Sequence, residues 1–149
     1  MDTLSPASVT ADVTTRLLLS SGGVVLVDAH LHYDTVDPYA VRIGFEAGRD
    51  SVVEWTFGRD LIVAGMDDLT GEGDVRVWPV LTESADRDRP MICLSLSAPG
   101  GAALFEIDRV ILAGFLEQTT ALVPVGRESE FVDLDGALSA LLADVHHAD

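Results

Sequence analysis

The sequence of 149 residues has no lysine, no asparagine and only one cysteine, Cys93. A single cysteine cannot form a disulfide within the chain, which argues against the disulfide-rich class of secreted domains. The sequence also lacks an apolar run as long as a membrane span, and its first residues lack the basic start of a secretory signal. These absences predict a cytoplasmic protein without direct membrane insertion.

Positive charge is scarce, because nine arginines oppose 25 acidic residues and the formal net charge is −16. Nucleic acids and anionic lipid surfaces bind proteins through clustered positive charge, so an acidic field of this size repels both. The use of arginine alone as the basic residue, together with the absence of asparagine, is what a GC-rich genome produces. The charge therefore argues against nucleic acid as a partner.

What remains is the composition of a folded domain. Hydrophobic residues make up 48% of the chain and charged residues 23%, which is globular rather than disordered. A chain of this length fits one domain with a real core and is short for two. We predict a single domain over residues 1–149, with residues 1–12 as a loose N-terminal tail.

Strand patterns fill the first half of the chain. A first strand is predicted over residues 13–19, and apolar residues then alternate with polar ones over 25–33, 41–45 and 53–57. The connectors between these segments are short, and residues 47–50 have the length of a hairpin turn. This arrangement predicts an antiparallel meander.

The second half of the chain predicts a helix, further strands and a longer helix. A short helix is expected over residues 59–64, with Gly65 as a left-handed cap, and a strand from Val75 should end at Pro79. The remaining predictions, in chain order, are a turn over 70–73, a charged loop over 84–90, strands over 91–97 and 102–106 joined by a tight turn, a long helix from Ile107 and a final helix from Asp133 or Asp135.

The order of these elements defines the fold class as α+β, with a mainly antiparallel sheet, one long helix and short helices. Each half of the chain is a run of strands followed by a helix, so the halves look alike in outline. On the long helix, Ile107, Val110, Ile111 and Phe115 fall on one apolar face, with Leu112 and Leu116 beside it.

The residues most suggestive of a metal site are Asp28, His30 and His32, which alternate along one face of a predicted strand. Two histidines two residues apart can share a metal, and a carboxylate can complete a facial triad. The alternative is a solvated strand face, and no suitably spaced further carboxylate completes the set. We therefore predict no metal site.

Patterns that indicate catalysis are also missing. Cys93 lies among apolar residues of a predicted strand, where cysteine acts as a small core residue rather than a thiolate. The glycine pairs lack the flanking residues of a phosphate-binding loop, and adjacent carboxylates such as Asp67 and Asp68 are expected by chance in an acidic chain. We predict that the protein is not an enzyme and binds no cofactor.

The large apolar side chains of the strands fall into two groups. Val53, Trp55, Phe57 and Val77 lie in phase with the apolar faces of their strands, so we expect them to be buried. Trp78 is out of phase with Val77 and should point to the other sheet face. It is either part of a second buried layer or an exposed anchor for a partner.

Three blocks of sequence carry a resemblance to a known family. Residues 33–41 read YDTVDPYAV, residues 53–61 read VEWTFGRDL, and residues 71–79 read GEGDVRVWP. In this order and at these separations they resemble the SsgA-like sporulation and cell division proteins of sporulating actinomycetes, most of all the SsgB type. The similarity continues more weakly through ICLSLSAP at 92–99 and FVDL at 131–134.

This resemblance implies a function and a fold. SsgB-like members are non-enzymatic regulators that recruit the tubulin-like protein FtsZ to the division septum and promote its assembly, with an SsgA-like paralogue as a further partner. The family fold is similar to that of the whirly single-stranded-nucleic-acid-binding proteins and assembles as a homotrimer. A nucleic-acid-binding or transcription-regulating module of the whirly type is therefore the alternative function, and the net charge argues against it.

The three blocks also contain our candidates for partner binding. Residues 37–39 are predicted to form a turn at an exposed edge, and an arginine–aspartate pair opens the predicted short helix. The candidates are Asp37, Pro38, Tyr39, Arg59, Asp60 and Trp78.

Overall fold

Eight antiparallel strands and two α-helices make up the described part of the chain. The structure, a computed structural model, describes residues 7–83, 88–132 and 142. The elements are β1 (Ser8–Leu18), β2 (Val24–Asp34), β3 (Ala40–Glu46), β4 (Val52–Gly58), α1 (Arg59–Gly65), β5 (Thr70–Glu72), β6 (Val75–Glu83), β7 (Asp88–Ala98), β8 (Gly101–Asp108), α2 (Arg109–Leu122) and a 3₁₀ helix (Glu128–Phe131). Among these residues no helix is long and apolar enough to cross a membrane.

The strands form one curled sheet in the order β4-β3-β2-β1-β8-β7-β6-β5. Each half of the chain is a four-stranded meander followed by a helix. The sequence predicted a run of strands followed by a helix in each half, but not the fourth strand of the second half, β5. The halves join where residues 16–18 of β1 pair with residues 104–106 of β8. Both halves have the same internal strand order, with the last strand first, so they lie side by side in one curled sheet and are not stacked face to face.

The core lies on the inner face of the curled sheet, under the two helices. Helix α1 contacts both edge strands, β4 and β5, and also β6, while α2 packs on β1, β2, β7 and β8. Alternate residues of the strands point inwards and are buried, including Leu31, Ile43, Val77, Leu94 and Ile107. This alternation is the pattern that predicted the strands.

Several strand boundaries differ from the prediction. The prediction of a loose tail over residues 1–12 is wrong from Ser8 onward, because residues 8–12 belong to β1 and pair with β2. Residues 70–72 form strand β5 rather than a turn, and β7 already begins at Asp88. Strand β6 continues through Pro79 to Glu83. Its pairing with β5 ends at Val77, so Pro79 lies on a sheet edge, where proline is tolerated.

Gly65 is part of α1 and not a left-handed cap. The helix begins at Arg59 as predicted, and Met66 ends it in the right-handed helical region. Glycine is needed at this position because a Cβ atom on Gly65 would overlap the side chain of Val77 on β6. The reason for this glycine is close packing between helix and sheet, which its backbone conformation alone does not reveal.

Helix α2 begins two residues later than predicted, and a different face of it is buried. Asp108 is its N-cap and accepts hydrogen bonds from the backbone N–H groups of Val110 and Ile111 at 2.8 and 3.2 Å. Val110 and Ile111 are exposed, whereas Ile107 belongs to β8. The buried residues of the helix are Leu112, Phe115, Leu116 and Thr119. The predicted final helix lies outside the described residues.

Four residues of the sequence blocks were expected to be buried. The prediction is confirmed for Phe57 and Val77, whose exposed fractions are 2% and 1%. It is wrong at Val53, whose exposed fraction is 46%, and Trp55 is half-buried. The sheet curl leaves the start of edge strand β4 uncovered by either helix, so an inward-facing residue remains exposed there.

Candidate functional site

The turn between β2 and β3 is fixed by its own side chains. The Asp34 carboxylate accepts hydrogen bonds from the backbone N–H groups of Val36 and Asp37, each at 3.1 Å. Its other oxygen accepts from Arg42 Nη2 at 2.8 Å. The Tyr33 hydroxyl donates to the carbonyl of Pro38 at 2.8 Å, and burial raises the pKa of Tyr33 to about 12, which keeps it protonated. The predicted turn is therefore confirmed, and its backbone is held rigidly.

Arg59 lies in the interior, which corrects its prediction as a surface residue for a partner. Its side chain is fully buried and forms an ion pair with Glu128, Nη2 to Oε2 at 2.9 Å. Nη1 donates to the carbonyls of Thr119 and Val123 at 3.2 and 2.7 Å. The guanidinium lies over the ring of Tyr33, 5.0 Å from its centroid. Arg59 therefore joins β2, α1 and the end of α2.

The first two sequence blocks meet at this junction. The backbone N–H of Arg59 donates to the carbonyl of Tyr39 at 2.7 Å, which sets the turn against the start of α1. Asp37, Tyr39 and Asp60 are exposed around it, and Tyr39 has an exposed fraction of 49%. Pro38 is buried, contrary to its prediction as part of an exposed turn. We call Asp37, Tyr39 and Asp60 the turn surface.

Trp78 belongs to a second surface, on the outer face of the sheet. It is half-buried and pairs in register with Cys93 of β7. It lines an open cavity of about 520 Å³ with Arg76, Pro79 and the exposed Leu69. The prediction that Trp78 and Val77 point to opposite faces is confirmed. Trp78 is therefore partly accessible to solvent, so it is neither fully buried in a second layer nor fully exposed, the two alternatives that the sequence left open.

The structure gives Asp28, His30 and His32 separate partners. His30 lies between two carboxylates, with Nδ1 2.8 Å from Asp12 and Nε2 2.6 Å from Glu46, and these hydrogen bonds raise its pKa above 6.5. His32 is bonded to Asp34, and Asp28 accepts from the hydroxyl of Thr14. Over residues 7–83 and 88–132, no group of three or more His, Cys, Asp or Glu side chains has the geometry of a metal site.

Cys93 has the surroundings of an inert thiol. It is 5% exposed, and burial, followed by the nearby charge of Glu106, raises its pKa to about 11. A thiol with this pKa carries almost no thiolate at neutral pH. The residue is therefore a packing element of β7.

Sequence reasoning missed the role of Glu128 and an apolar groove at one end of the sheet. Glu128 is 69 residues from Arg59 along the chain, and no local pattern marks it as a buried partner. The groove includes Leu17 and Val27, which come from the tip of the β1–β2 hairpin. The signal for this groove was the runs of consecutive apolar residues at 17–19 and 24–27. A strand that is apolar on both faces needs packing partners on both faces.

Comparison with known proteins identifies the family. The family of the Streptomyces sporulation and cell division protein SsgA matches residues 27–128. The chain belongs to this family. Its members are cell-division proteins and are not known as enzymes.

Similar proteins match over nearly the whole chain. The sporulation-specific cell division protein SsgB of Frankia casuarinae is 45% identical over 140 residues, which are 94% of this chain and 95% of that protein. SsgB of Streptomyces coelicolor is 44% identical over 137 residues, or 92% and 97% of the two chains. The chain is therefore SsgB-like over almost its full length.

A solved structure of the SsgA-like sporulation-specific cell division protein of Thermobifida fusca superposes with a TM-score of 0.81. It is 38% identical and covers 94% of this chain and 98% of its own. A structure of SsgB, solved in connection with longitudinal cell division during sporulation of Streptomyces coelicolor, superposes with a TM-score of 0.79 at 41% identity, covering 87% and 99%. Each matches the fold and the sequence together.

Proposed function

We propose that this protein is a non-enzymatic regulator of sporulation-specific cell division that recruits FtsZ to septum sites and promotes its assembly. The observation that carries the proposal is the match to SsgB proteins over 92–94% of the chain. FtsZ as the partner follows from the family resemblance of the three sequence blocks. The protein then acts in the cytoplasm, at the division septum.

Two exposed surfaces support a role in protein binding. The turn surface presents Tyr39 together with the acidic Asp37 and Asp60, and its backbone is held by hydrogen bonds from the Tyr33 hydroxyl and the Arg59 N–H group. The Trp78 cavity presents an indole ring beside the exposed Leu69. Aromatic side chains on a rigid frame lose little conformational entropy when a partner covers them, and they are enriched at interfaces for this reason.

The whirly-like fold and the alternative function in nucleic-acid binding remain predictions from the family resemblance. The charge distribution does not favour that function. Single-stranded nucleic acid needs a positive groove, yet five arginines already pair with carboxylates: Arg16, Arg42, Arg59, Arg109 and Arg127.

We further propose that the protein is a homo-oligomer, specifically the trimer that the family resemblance implies. We also propose an SsgA-like paralogue as a second partner. Light scattering on the purified protein tests the oligomer. A single monomer mass at all concentrations would be inconsistent with it.

The test of function is co-sedimentation with polymerising FtsZ from the same organism. We expect the protein to enter the pellet with FtsZ and to raise the polymer yield. Tyr39→Ala and Trp78→Ala identify the surface that is used, and the affected variant should lose most of the effect. Val110→Ala on α2 is the control, because Val110 is exposed and belongs neither to the turn surface nor to the lining of the Trp78 cavity. An unchanged polymer yield combined with tight binding to single-stranded DNA would favour the alternative function.

A further inference from the structure

The tip of the β1–β2 hairpin has a free edge. Strand β2 pairs with β1 over its whole length, but its pairing with β3 stops at Ala29 and Phe45. In the described part of the chain, residues 24–28 of β2 therefore have a partner on one side only. Five residues of strand span roughly 17 Å, enough for another strand of similar length.

Within residues 7–83 and 88–132, the edge lacks the features that usually protect a sheet edge. Residues 24–27 contain no proline or charge, and Asp28 alone is charged. Val24, Val25 and Leu26 have exposed fractions of 42%, 44% and 68%. A strand edge that has no partner and carries exposed apolar side chains on both faces is a template for pairing with a further strand.

On the inner face, the edge borders the apolar groove. Leu17 and Val27 line it, and Val53 and Trp55 of β4 form part of its wall. The rings of Phe45 and Phe105 stack there at a centroid distance of 4.3 Å. The groove has a volume of about 410 Å³ and opens at the end of the sheet that neither helix covers.

On the outer face, the same edge borders an acidic notch formed by Asp12, Asp28 and Glu46. The notch has a volume of about 300 Å³, and His30 lies within it. Val25 and Val27 alternate with Leu26 and Asp28, so consecutive side chains of β2 lie on the inner and outer faces of the sheet in turn. Val27 lines the groove and Asp28 lines the notch.

We infer that the free edge of β2 binds an extended segment of a partner protein by strand addition. The segment carries alternating apolar and basic residues: the apolar side chains enter the groove, and the basic ones reach the notch. The backbone of residues 24–28 supplies hydrogen bonds and the two flanking cavities supply specificity. This inference goes beyond the proposed function and does not depend on which protein supplies the segment.

Charge decides between this occupant and a second copy of the chain. A second copy would bring its own Asp28 and Glu46 to the edge and would add carboxylates beside a notch that is already acidic. A segment with arginine or lysine at alternate positions offers the opposite charge at the required spacing.

The test uses a labelled eight-residue peptide of alternating arginine and valine with blocked ends. The control peptide has four arginines followed by four valines, so that charge and composition are the same. In 150 mM NaCl we expect the alternating peptide to bind at least tenfold more tightly by fluorescence anisotropy. Hydrogen exchange should show protection of amides at residues 24–28 on binding.

Leu26→Lys should weaken binding of the alternating peptide tenfold or more, because it places a charge on the outer side of the edge. Val110→Lys is the matched control, since Val110 and Leu26 have exposed fractions of 70% and 68%. Asp28→Asn, which keeps the side-chain shape, should weaken binding severalfold. Equal affinity for the two peptides, or no protection at 24–28, would overturn the inference. So would a fall in oligomeric mass on Leu26→Lys, because a second copy would then occupy the edge.

Discussion

At the scale of single residues, Arg59 and Glu128 decide how the two halves of the chain are held together. The pair is buried, and the guanidinium also bonds to carbonyls at the end of α2. A buried ion pair contributes little compared with apolar packing, but the loss of one partner leaves an uncompensated charge in the core. This asymmetry makes the pair a sensitive point of the structure.

Glu128→Gln should lower the free energy of unfolding by roughly 3–5 kcal/mol, because Arg59 then stays charged without a carboxylate. Urea denaturation measures the change. Glu130→Gln is the control in the same 3₁₀ helix. It breaks the exposed pair with Arg127 and should cost at most about 1 kcal/mol. Equal costs for the two variants would contradict the role of burial.

The same pair predicts a pH dependence. The hydrogen bond from Arg59 holds the pKa of Glu128 below 4.5. The stabilisation is therefore present above about pH 4.5 and is lost as the pH falls through the folded-state pKa. The difference in unfolding free energy between wild type and Glu128→Gln should be smaller at pH 4 than at pH 7. A constant difference would mean that Glu128 does not titrate in this way.

His30 predicts a pH dependence of stability with the opposite sign to that of Glu128. Both of its ring nitrogens face carboxylates, and only the imidazolium can donate to both, so its folded-state pKa lies above 6.5. The stabilisation is complete below pH 6.5 and is lost as the pH rises through that pKa. NMR titration should show the raised value and its fall in Asp12→Asn. His30→Gln assigns the signal, and a value at or below 6.5 in wild type would contradict the geometry.

At the scale of elements, the contact between α1 and β6 depends on a missing side chain. Gly65 allows the helix to lie directly against Val77. Helix propensity alone favours alanine over glycine by about 1 kcal/mol, so only the packing explains this residue.

Gly65→Ala should therefore destabilise the protein, by roughly 1–3 kcal/mol. Gly114→Ala in α2 is the matched control, because a Cβ atom at Gly114 meets nothing within 4 Å. That change should be neutral or stabilising by up to about 1 kcal/mol. Thermal or urea unfolding distinguishes the two, and a stabilised Gly65→Ala variant would rule out the close contact.

The elements also show what sequence patterns predict well. Alternation predicted the meander of the first half, because the period of two survives wherever one sheet face is buried. It did not predict that β6 passes through Pro79, since an edge position depends on where β5 stops. The predicted apolar face of α2 was wrong for a similar reason. Ile107 has the helical spacing but ends β8, which shifts the helix start to Arg109.

The candidate site residues also differ in whether local sequence or long-range contacts determine their position. The turn at residues 37–39 has a local signature, and the structure contains this turn, although Pro38 within it is buried. The interior position of Arg59 follows from Glu128 and from carbonyls at the end of α2, contacts that are 60 to 69 residues distant. The exposure of Val53 follows from the curl of the sheet. Neither depends on neighbouring residues, so local patterns cannot indicate them.

At the scale of the whole molecule, the net charge of −16 opposes the compact state through self-repulsion. Salt screens this repulsion, and the buried Arg59–Glu128 pair is screened much less than surface charges.

We therefore expect the protein to gain stability when NaCl is raised from 10 to 200 mM. A gain of about 1 kcal/mol corresponds to roughly 2–4 °C in Tm for a chain of this size. Differential scanning calorimetry measures the shift, and KCl in place of NaCl controls for a specific ion. A fall in Tm would mean that exposed ion pairs outweigh the repulsion.

The seam between β1 and β8 has a consequence for synthesis of the chain. About 90 residues separate the two strands, and β8 is the last strand of the sheet to leave the ribosome. At a synthesis rate of 5–20 residues per second, roughly 5–18 s pass between the synthesis of β1 and the synthesis of β8, its second partner strand. During that interval β1 pairs with β2 alone and its other edge has no partner. The newly made chain is therefore most exposed to aggregation in this period, and a chaperone that covers β1 would act then.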